Sequence, residues 1–130
     1  MSEEFQASKP IYIQIADRLI NRIVRRELLP GDKLPSVREL ALQSGVNPNT
    51  VQRTYSEMER MGIVETRRGQ GTFVTEKDDI LMGIKVRMKN DIIDAFVKNM
   101  MDLGLTKGEI IDGLNNFLVE DGGERNENRP

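Results

Sequence analysis

Apolar residues recur every three or four positions near the start of the chain, which predicts a helix that begins close to Pro10. Proline is tolerated in the first turn of a helix, where its missing N–H would have no partner, so Ser8 or Lys9 is expected as the cap. The apolar stripe is wide enough to face a core along its whole length. It comprises Tyr12, Ile15, Leu19 and Ile23, with Ile11, Ala16 and Ile20 beside it.

Two further helices are predicted from local start signals. Ser36 followed three residues later by Glu39 is typical of a capping box, in which each side chain accepts from the other residue's backbone amide. Gly45 indicates a tight turn, because glycine adopts positive φ without strain. Asn47 then caps a third helix, with Pro48 at its first position.

After Gly62 the pattern changes from helical spacing to short alternating runs. Residues 63–66 and 72–74 predict two strands, joined by a hairpin tip at residues 67–71 that holds two arginines and two glycines. Pro30 and Gly31 mark the turn that separates the first helix from the second. Helix, turn, helix and hairpin together predict a winged helix-turn-helix over residues 8–75, so the fold class is mostly α with a small β-hairpin.

The C-terminal part of the chain predicts two amphipathic helices. The first spans about residues 79–103 after a charged hinge at residues 76–79, and the second begins at a capping box formed by Thr106 and Glu109. Residues 120–130 contain no apolar side chain except the final proline, and we expect a disordered tail there. The appendage is therefore assigned to residues 79–119.

An isolated pair of amphipathic helices cannot bury its apolar stripe. Packing against the same stripe of a second copy would bury it, so the appendage predicts a homodimer. The predicted dimerisation residues are Leu81, Ile84, Met88, Ile92, Phe96, Met100, Leu103, Leu114 and Phe117. A second interpretation, a pliable small-molecule pocket, stays open for Met82, Met88, Met100 and Met101, although no pattern identifies an effector.

Composition narrows the function classes. The chain has no cysteine and no histidine, which excludes disulfides, thiolate and imidazole chemistry, and zinc sites of the Cys/His type. No metal site, catalytic residue or cofactor is predicted, because no nucleophile–base pair or phosphate-cradling loop is present and the run from Gly69 to Gly71 is too short for a nucleotide fingerprint. The first residues do not resemble a signal peptide and no run is long enough to span a membrane, so we expect a cytoplasmic protein that is not an enzyme.

Charge is distributed unevenly between the two parts. The net charge is -2, but residues 1–75 hold 11 basic and 9 acidic side chains, whereas residues 76–130 hold 8 and 12. The positive part therefore coincides with the predicted winged helix. A dimer would present its arginines twice on one face of DNA, with the acidic parts directed elsewhere.

Four segments resemble the GntR family of bacterial transcription regulators. They are LPSVRELA at residues 34–41, VNPNTVQR at 46–53, GIV at 62–64 and RRGQGTFV at 67–74, in the family's order and spacing. The short two-helix C-terminal part is similar to the YtrA-type subfamily. This resemblance implies a winged helix bound to double-stranded DNA, a small dimerisation appendage instead of an effector domain, and a DNA contact by Arg38. It also suggests control of a transport operon.

The predicted DNA contacts follow from how a recognition helix enters the major groove. Residues in its first turn must be polar and short, since they approach base edges, and asparagine, glutamine and arginine can pair with bases in bidentate fashion. Glycines in a wing allow close approach to the sugar-phosphate backbone. The predicted DNA-binding residues are Ser36, Arg38, Asn47, Pro48, Asn49, Thr50, Gln52, Arg53, Arg67, Arg68, Gly69, Gln70 and Gly71.

Other interpretations of these residues stay open at this stage. Asn47 and Pro48 serve helix initiation in any case, and Gln52 and Arg53 could be solvated surface. Arg38 could pair with a nearby glutamate, and Arg67 and Arg68 could belong to an ordinary charged hairpin. The chain is predicted to be a sequence-specific regulator, a repressor that binds a palindromic operator as a homodimer. The alternative is a winged-helix protein-interaction module that does not bind DNA.

Overall fold

The computed structural model describes residues 4–125, with the side chains of residues 4–120. Within this range the elements are α1 (Ile11–Val24), α2 (Val37–Ser44), α3 (Pro48–Arg60), β1 (Val64–Arg67), β2 (Gly71–Val74), α4 (Asp78–Asp102) and α5 (Lys107–Arg125). The order confirms the predicted helix-turn-helix and hairpin. The chain divides into two compact units, Met1–Val86 and Arg87–Pro130, so that α4 begins in the first unit and ends in the second.

The start of α1 differs from the prediction. Pro10 itself is the N-cap, with ψ of 141° and no side-chain cap, so neither Ser8 nor Lys9 fills that role. The buried side chain of Gln14 organises this end instead. Its amide donates to the carbonyls of Gln6 at 2.6 Å and Lys9 at 2.8 Å, and its oxygen accepts from the Gln6 N–H at 2.8 Å. A polar residue inside an apolar stripe thus satisfies the backbone hydrogen-bonding groups of the segment that precedes α1.

The predicted starts of α2 and α3 are confirmed. The Ser36 N–H donates to Glu39 Oε1 at 2.8 Å, and the Glu39 N–H donates to Ser36 Oγ at 3.1 Å. Gly45 follows α2 with φ of 68°, as expected for a left-handed C-cap. Asn47 Oδ1 accepts from the Asn49 N–H at 2.7 Å, and Pro48 opens α3.

The hairpin is shifted by one residue from its prediction. β1 pairs antiparallel with β2 in the register Val64↔Val74 to Arg67↔Gly71, so Arg67 lies in the ladder and the tip is Arg68 to Gln70. The Gln70 N–H closes this turn on the Arg67 carbonyl at 2.9 Å. Ile63 precedes β1 and is fully buried in the core. The core of the first unit includes Ile15, Ile23, Val51, Met58, Ile63, Val64 and Val74.

The first turns of α4 belong to the first unit, which corrects two predicted dimerisation residues. Leu81 is 3% exposed and Ile84 is 6% exposed within a single chain. Leu81 lies beside Val24 of α1, and the ion pair between Arg26 and Asp78 joins the end of α1 to the first residue of α4. The predicted hinge at residues 76–79 is shorter than expected, since α4 already begins at Asp78.

The second unit contains the rest of α4 and α5. The predicted capping box is confirmed: the Thr106 N–H donates to Glu109 Oε1 at 2.9 Å, and the Glu109 N–H donates to Thr106 Oγ1 at 3.2 Å. α5 runs to Arg125, so the boundary predicted at residue 119 is too early, because an established helix gains one backbone hydrogen bond for each added residue. Residues 126–130 of the predicted tail lie outside the described part. None of the described helices is both long and apolar enough to cross a membrane.

Candidate nucleic-acid interface

The N-terminus of α2 presents one arginine on a rigidly capped turn. The hydrogen bonds from Ser36 hold the pKa of the Glu39 carboxyl below its ordinary value, and the charge of Lys33 acts in the same direction. Glu39 is thus held in the capping box by its hydrogen bonds with Ser36, and it is charged at neutral pH. Arg38 is exposed and forms no ion pair with any residue that the structure describes. The interpretation of Arg38 as an internal ion-pair partner therefore has no support within this unit.

A buried tyrosine ties this turn to the recognition helix. Tyr55 of α3 donates its hydroxyl to the Pro35 carbonyl at 2.6 Å, directly before the Ser36 cap. Burial raises the pKa of the Tyr55 hydroxyl above its ordinary value, and the charge of Glu39 adds to this shift. The hydroxyl therefore remains protonated and can donate throughout the physiological pH range.

The first turn of α3 carries the predicted polar residues on its surface. Asn47 acts as the cap, and Asn49, Gln52 and Arg53 are exposed, whereas Thr50 is half-buried. Pro48 is exposed at the first helical position. An exposed helix N-terminus with short polar side chains can approach a groove of DNA. Its backbone N–H groups are already satisfied within the turn, because those of Asn49, Thr50 and Val51 all donate to Asn47.

Arg53 is exposed but has a defined position. Its guanidinium lies 4.0 Å from the centroid of the Tyr12 ring, which extends from α1. The interpretation of Arg53 as freely solvated surface is therefore too simple. Tyr12 was predicted as a core residue of α1, and it is only half-buried.

The wing holds its two arginines differently. Arg67 stacks over the Phe73 ring at 4.2 Å and lies 3.8 Å from a Glu65 oxygen and 3.9 Å from a Glu76 oxygen. Arg68 is exposed at the tip and has no ion pair with a described residue. Gly69 at the tip has φ of +76°, and a Cβ there would meet no atom within 4 Å. The tip is thus open for close approach to another molecule.

Sequence analysis missed Lys33. This residue forms an isolated bridge with Phe73, and its side chain lies so close to Gly71 that a Cβ at Gly71 would be 2.8 Å from Lys33 Cε. The only local signal was a lysine three residues before the Ser36 cap. Its neighbours across the hairpin depend on a pairing that the local sequence does not reveal.

One groove brings the start of α2 and the wing together. It has a volume of about 600 Å³ and includes Lys33, Ser36, Arg67, Arg68 and Gln70 in its lining. Gly69 and Gly71 complete its wing side. No α3 residue lines this groove. α3 is attached to its two sides by the hydrogen bond of Tyr55 to Pro35 and by Glu59 Oε2, which accepts from the Thr66 N–H at 3.3 Å. The lining holds three cations, Lys33, Arg67 and Arg68, and one carboxylate, that of Glu39, so its charge balance favours a polyanion.

The second unit exposes many apolar side chains. Ile92 is 67% exposed and Leu103 is 76% exposed, whereas Met88, Phe96 and Met100 are half-buried. Among the predicted dimerisation residues, Leu114 and Phe117 are also exposed on α5. Several other exposed apolar residues of this unit were not among the predicted dimerisation residues, and these are Ile93, Met101, Ile111, Leu118 and Val119. The pocket proposed for the methionines stays a prediction.

Residues 11–74 match the family described as bacterial regulatory proteins, gntR family. The chain is 62% identical over 117 residues to YhcF of Bacillus subtilis (strain 168), an uncharacterized HTH-type transcriptional regulator, covering 90% of this chain and 97% of YhcF. It is 47% identical over 96 residues to YtrA of the same organism, an HTH-type transcriptional repressor, covering 69% of this chain and 74% of YtrA.

Solved structures give the same result. A GntR family transcriptional regulator from Listeria monocytogenes superposes with a TM-score of 0.82 at 38% identity, covering 86% of this chain and 98% of that one. The DNA-binding domain of AraR in complex with operator ORX1 superposes with a TM-score of 0.51 at 26% identity, covering 58% of this chain and 92% of that one. The related proteins are named as transcription regulators and not as enzymes. This chain belongs to the GntR family of bacterial regulatory proteins, and its relatives include YtrA-type regulators.

Proposed function

We propose that the protein is a transcription repressor that binds double-stranded DNA through the winged helix of its first unit. The observation that carries the proposal is the convergence of Lys33, Ser36, Arg68 and Gln70 on one groove, next to the unpaired Arg38. Cations without internal partners can release counterions from phosphates on binding. The operator complex of the AraR domain supports this use of the fold, and the description of YtrA as a repressor supports the sign of regulation.

The appendage would make the active species a homodimer. Exposed apolar residues such as Ile92, Leu114 and Phe117 would be covered by the same surface of a second copy, since large exposed apolar patches are uncommon on monomers. A two-fold dimer reads two half-sites, so the operator would be palindromic. A protein that acts on the bacterial chromosome works in the cytoplasm. No feature of the described residues favours a small-molecule effector or a cofactor.

DNA binding is tested by fluorescence anisotropy with operator DNA selected from genomic fragments. We expect Arg38→Ala to weaken binding by about 1–3 kcal/mol and to lower the salt slope by about 0.9 if its contact is a phosphate. Arg87→Ala is the matched control, because it removes one positive charge from α4 outside the winged helix. Equal affinities of wild type, Arg38→Ala and Arg68→Ala would contradict the placement of the interface at these arginines. Failure of the wild type to bind any double-stranded fragment would contradict the DNA assignment and favour a protein-interaction module.

The dimer is tested by analytical ultracentrifugation at micromolar concentration. We expect the wild type to have twice the 14.8 kDa mass of one chain, and Ile92→Asp to shift it towards the monomer. Asn90→Asp places the same charge on the same helix without removing an apolar side chain, and it should leave the mass unchanged. A monomeric wild type would refute the proposed role of the appendage.

A further inference from the structure

The arginines of the proposed interface fall into two groups. Arg38 and Arg68 have neither an ion pair nor a ring contact with any described residue. The guanidinium carbon of Arg53 instead lies over the Tyr12 ring, 4.0 Å from the ring centroid. A guanidinium stacked on an aromatic ring loses rotational freedom but keeps its in-plane N–H donors. Arg53 is therefore the recognition-helix arginine whose orientation is set before any ligand arrives.

The backbone of Tyr12 is held in place by the fold. Thr54, the fully buried neighbour of Arg53 on α3, donates its hydroxyl to the Tyr12 carbonyl at 3.0 Å. The same hydroxyl lies 3.1 Å from the Thr50 carbonyl, so it bridges α1 to the first turn of α3. The backbone that carries the ring is thus held beside the backbone that carries Arg53. A change of the Tyr12 side chain leaves this backbone contact in place.

The nearest acidic side chain on α3 does not capture Arg53. Glu57 lies one turn further along, but its carboxylate accepts from Arg60 through both oxygens, at 3.2 Å for the Nε contact. These hydrogen bonds hold the pKa of Glu57 below its ordinary value, and the charges of Arg60 and Arg53 act in the same direction. Because both carboxylate oxygens of Glu57 accept from Arg60, the N–H groups of Arg53 stay available to an external acceptor.

We propose that Tyr12 is a positioning residue that orients Arg53 for a specific contact with a base edge in the major groove. The inference rests on the proposed DNA-binding function. Arg53 is four residues after Asn49 and shares its exposed helix face, so it would read DNA next to the first turn of α3. Guanine offers N7 and O6 to a planar arginine edge, and orientation by Tyr12 removes part of the entropy cost of that bidentate contact.

The experiment measures operator affinity by anisotropy for the wild type and for four variants of the full chain. Tyr12→Leu should weaken operator binding about two- to five-fold, as expected for loss of a cation–π contact at an exposed site. Tyr12→Phe keeps the ring and should rescue this loss. Arg53→Ala should reduce operator affinity about ten-fold or more. The double variant Tyr12→Leu/Arg53→Ala should bind no more weakly than Arg53→Ala alone.

Operators with single base-pair changes separate a base contact from a phosphate contact. Arg53→Ala and Tyr12→Leu should both reduce discrimination at the same base pair, whereas a phosphate contact would be lost equally on every sequence. Arg53→Lys keeps the charge but not the planar edge, and it should also lose discrimination. Because this variant changes an exposed side chain and leaves Tyr12 in place, it tests the planar contact even if Tyr12→Leu fails to fold.

Three results would overturn the inference while leaving the proposed function intact. The first is an equal loss of affinity on all operators in Arg53→Ala and Tyr12→Leu. The second is a loss of affinity in the double variant that equals the sum of the two single losses in free energy. The third is normal operator affinity of Arg53→Ala while that of Arg38→Ala is reduced. Failure of the wild type to bind any double-stranded DNA would refute the proposed function itself, together with this inference.

Discussion

Removing the hydroxyl of Tyr55 should destabilise the first unit without changing its packing. Tyr55 is 4% exposed and donates to the carbonyl of the half-buried Pro35 at 2.6 Å, so Tyr55→Phe keeps the ring in place and deletes one partly buried hydrogen bond. The substitution leaves the Pro35 carbonyl without that donor. Desolvation of an unsatisfied carbonyl accounts for most of the expected cost.

The expected loss of stability in Tyr55→Phe follows from the burial of Tyr55 and from the neutral character of its hydrogen bond to Pro35. A neutral hydrogen bond whose acceptor is left unsatisfied costs about 1–2 kcal/mol. In a domain of this size, each kcal/mol lowers the melting temperature by about 4–8 °C. Since Pro35 directly precedes the Ser36 cap, the loss should also loosen the turn that carries Arg38. We expect operator affinity to fall, but by less than with Arg38→Ala.

The assay is urea unfolding of the full chain followed by circular dichroism. Tyr12→Phe is the matched control, since it makes the same chemical change at a hydroxyl that has no hydrogen bond to a described residue. We expect Tyr55→Phe to lower the unfolding midpoint with an unchanged m-value, and Tyr12→Phe to remain within about 0.5 kcal/mol of wild type. If the two variants had equal stability, the bond between Tyr55 and Pro35 would not connect α3 to α2 as described.

Three further changes have defined expectations in the same unfolding assay. Leu81→Ala should cost about 2–5 kcal/mol because it empties a buried site, whereas Leu42→Ala, at a position 77% exposed, should cost less than about 0.5 kcal/mol. Glu39→Gln should be less stable than wild type at pH 7. The difference should close as the pH falls below 4.5, because the folded-state pKa of Glu39 is lowered and its stabilisation is lost on protonation. Gly45→Ala should cost about 1–2 kcal/mol, since φ of 68° strains an L-residue, and Gly45→Asn should cost less.

The features that sequence analysis predicted correctly depend on neighbours within a few residues. The capping boxes at Ser36 and Thr106 and the cap at Asn47 are local arrangements, so their spacing is sufficient to recognise them. The position of Lys33 beside Gly71 and the stack of Arg53 on Tyr12 join residues about 40 apart in sequence. Such contacts follow from tertiary packing, which local spacing does not encode. Arg67 was predicted in the tip, but it pairs with Gly71, and this strand register also depends on contacts that the local sequence does not show.

The apolar stripe of α4 shows why helical spacing alone could not assign the dimerisation surface. Spacing identifies a face that must be covered, but it does not say what covers it. Leu81 and Leu103 belong to one predicted stripe, yet the former is 3% exposed and the latter 76% exposed within a single chain. An aspartate at residue 81 would unfold the first unit and abolish DNA binding whether or not the protein dimerises. A charge at Ile92, which is already exposed, can change the mass of the assembly while the fold of the first unit stays intact. Ile92→Asp therefore tests dimerisation apart from the folding of the first unit, whereas Leu81→Asp would affect both at once.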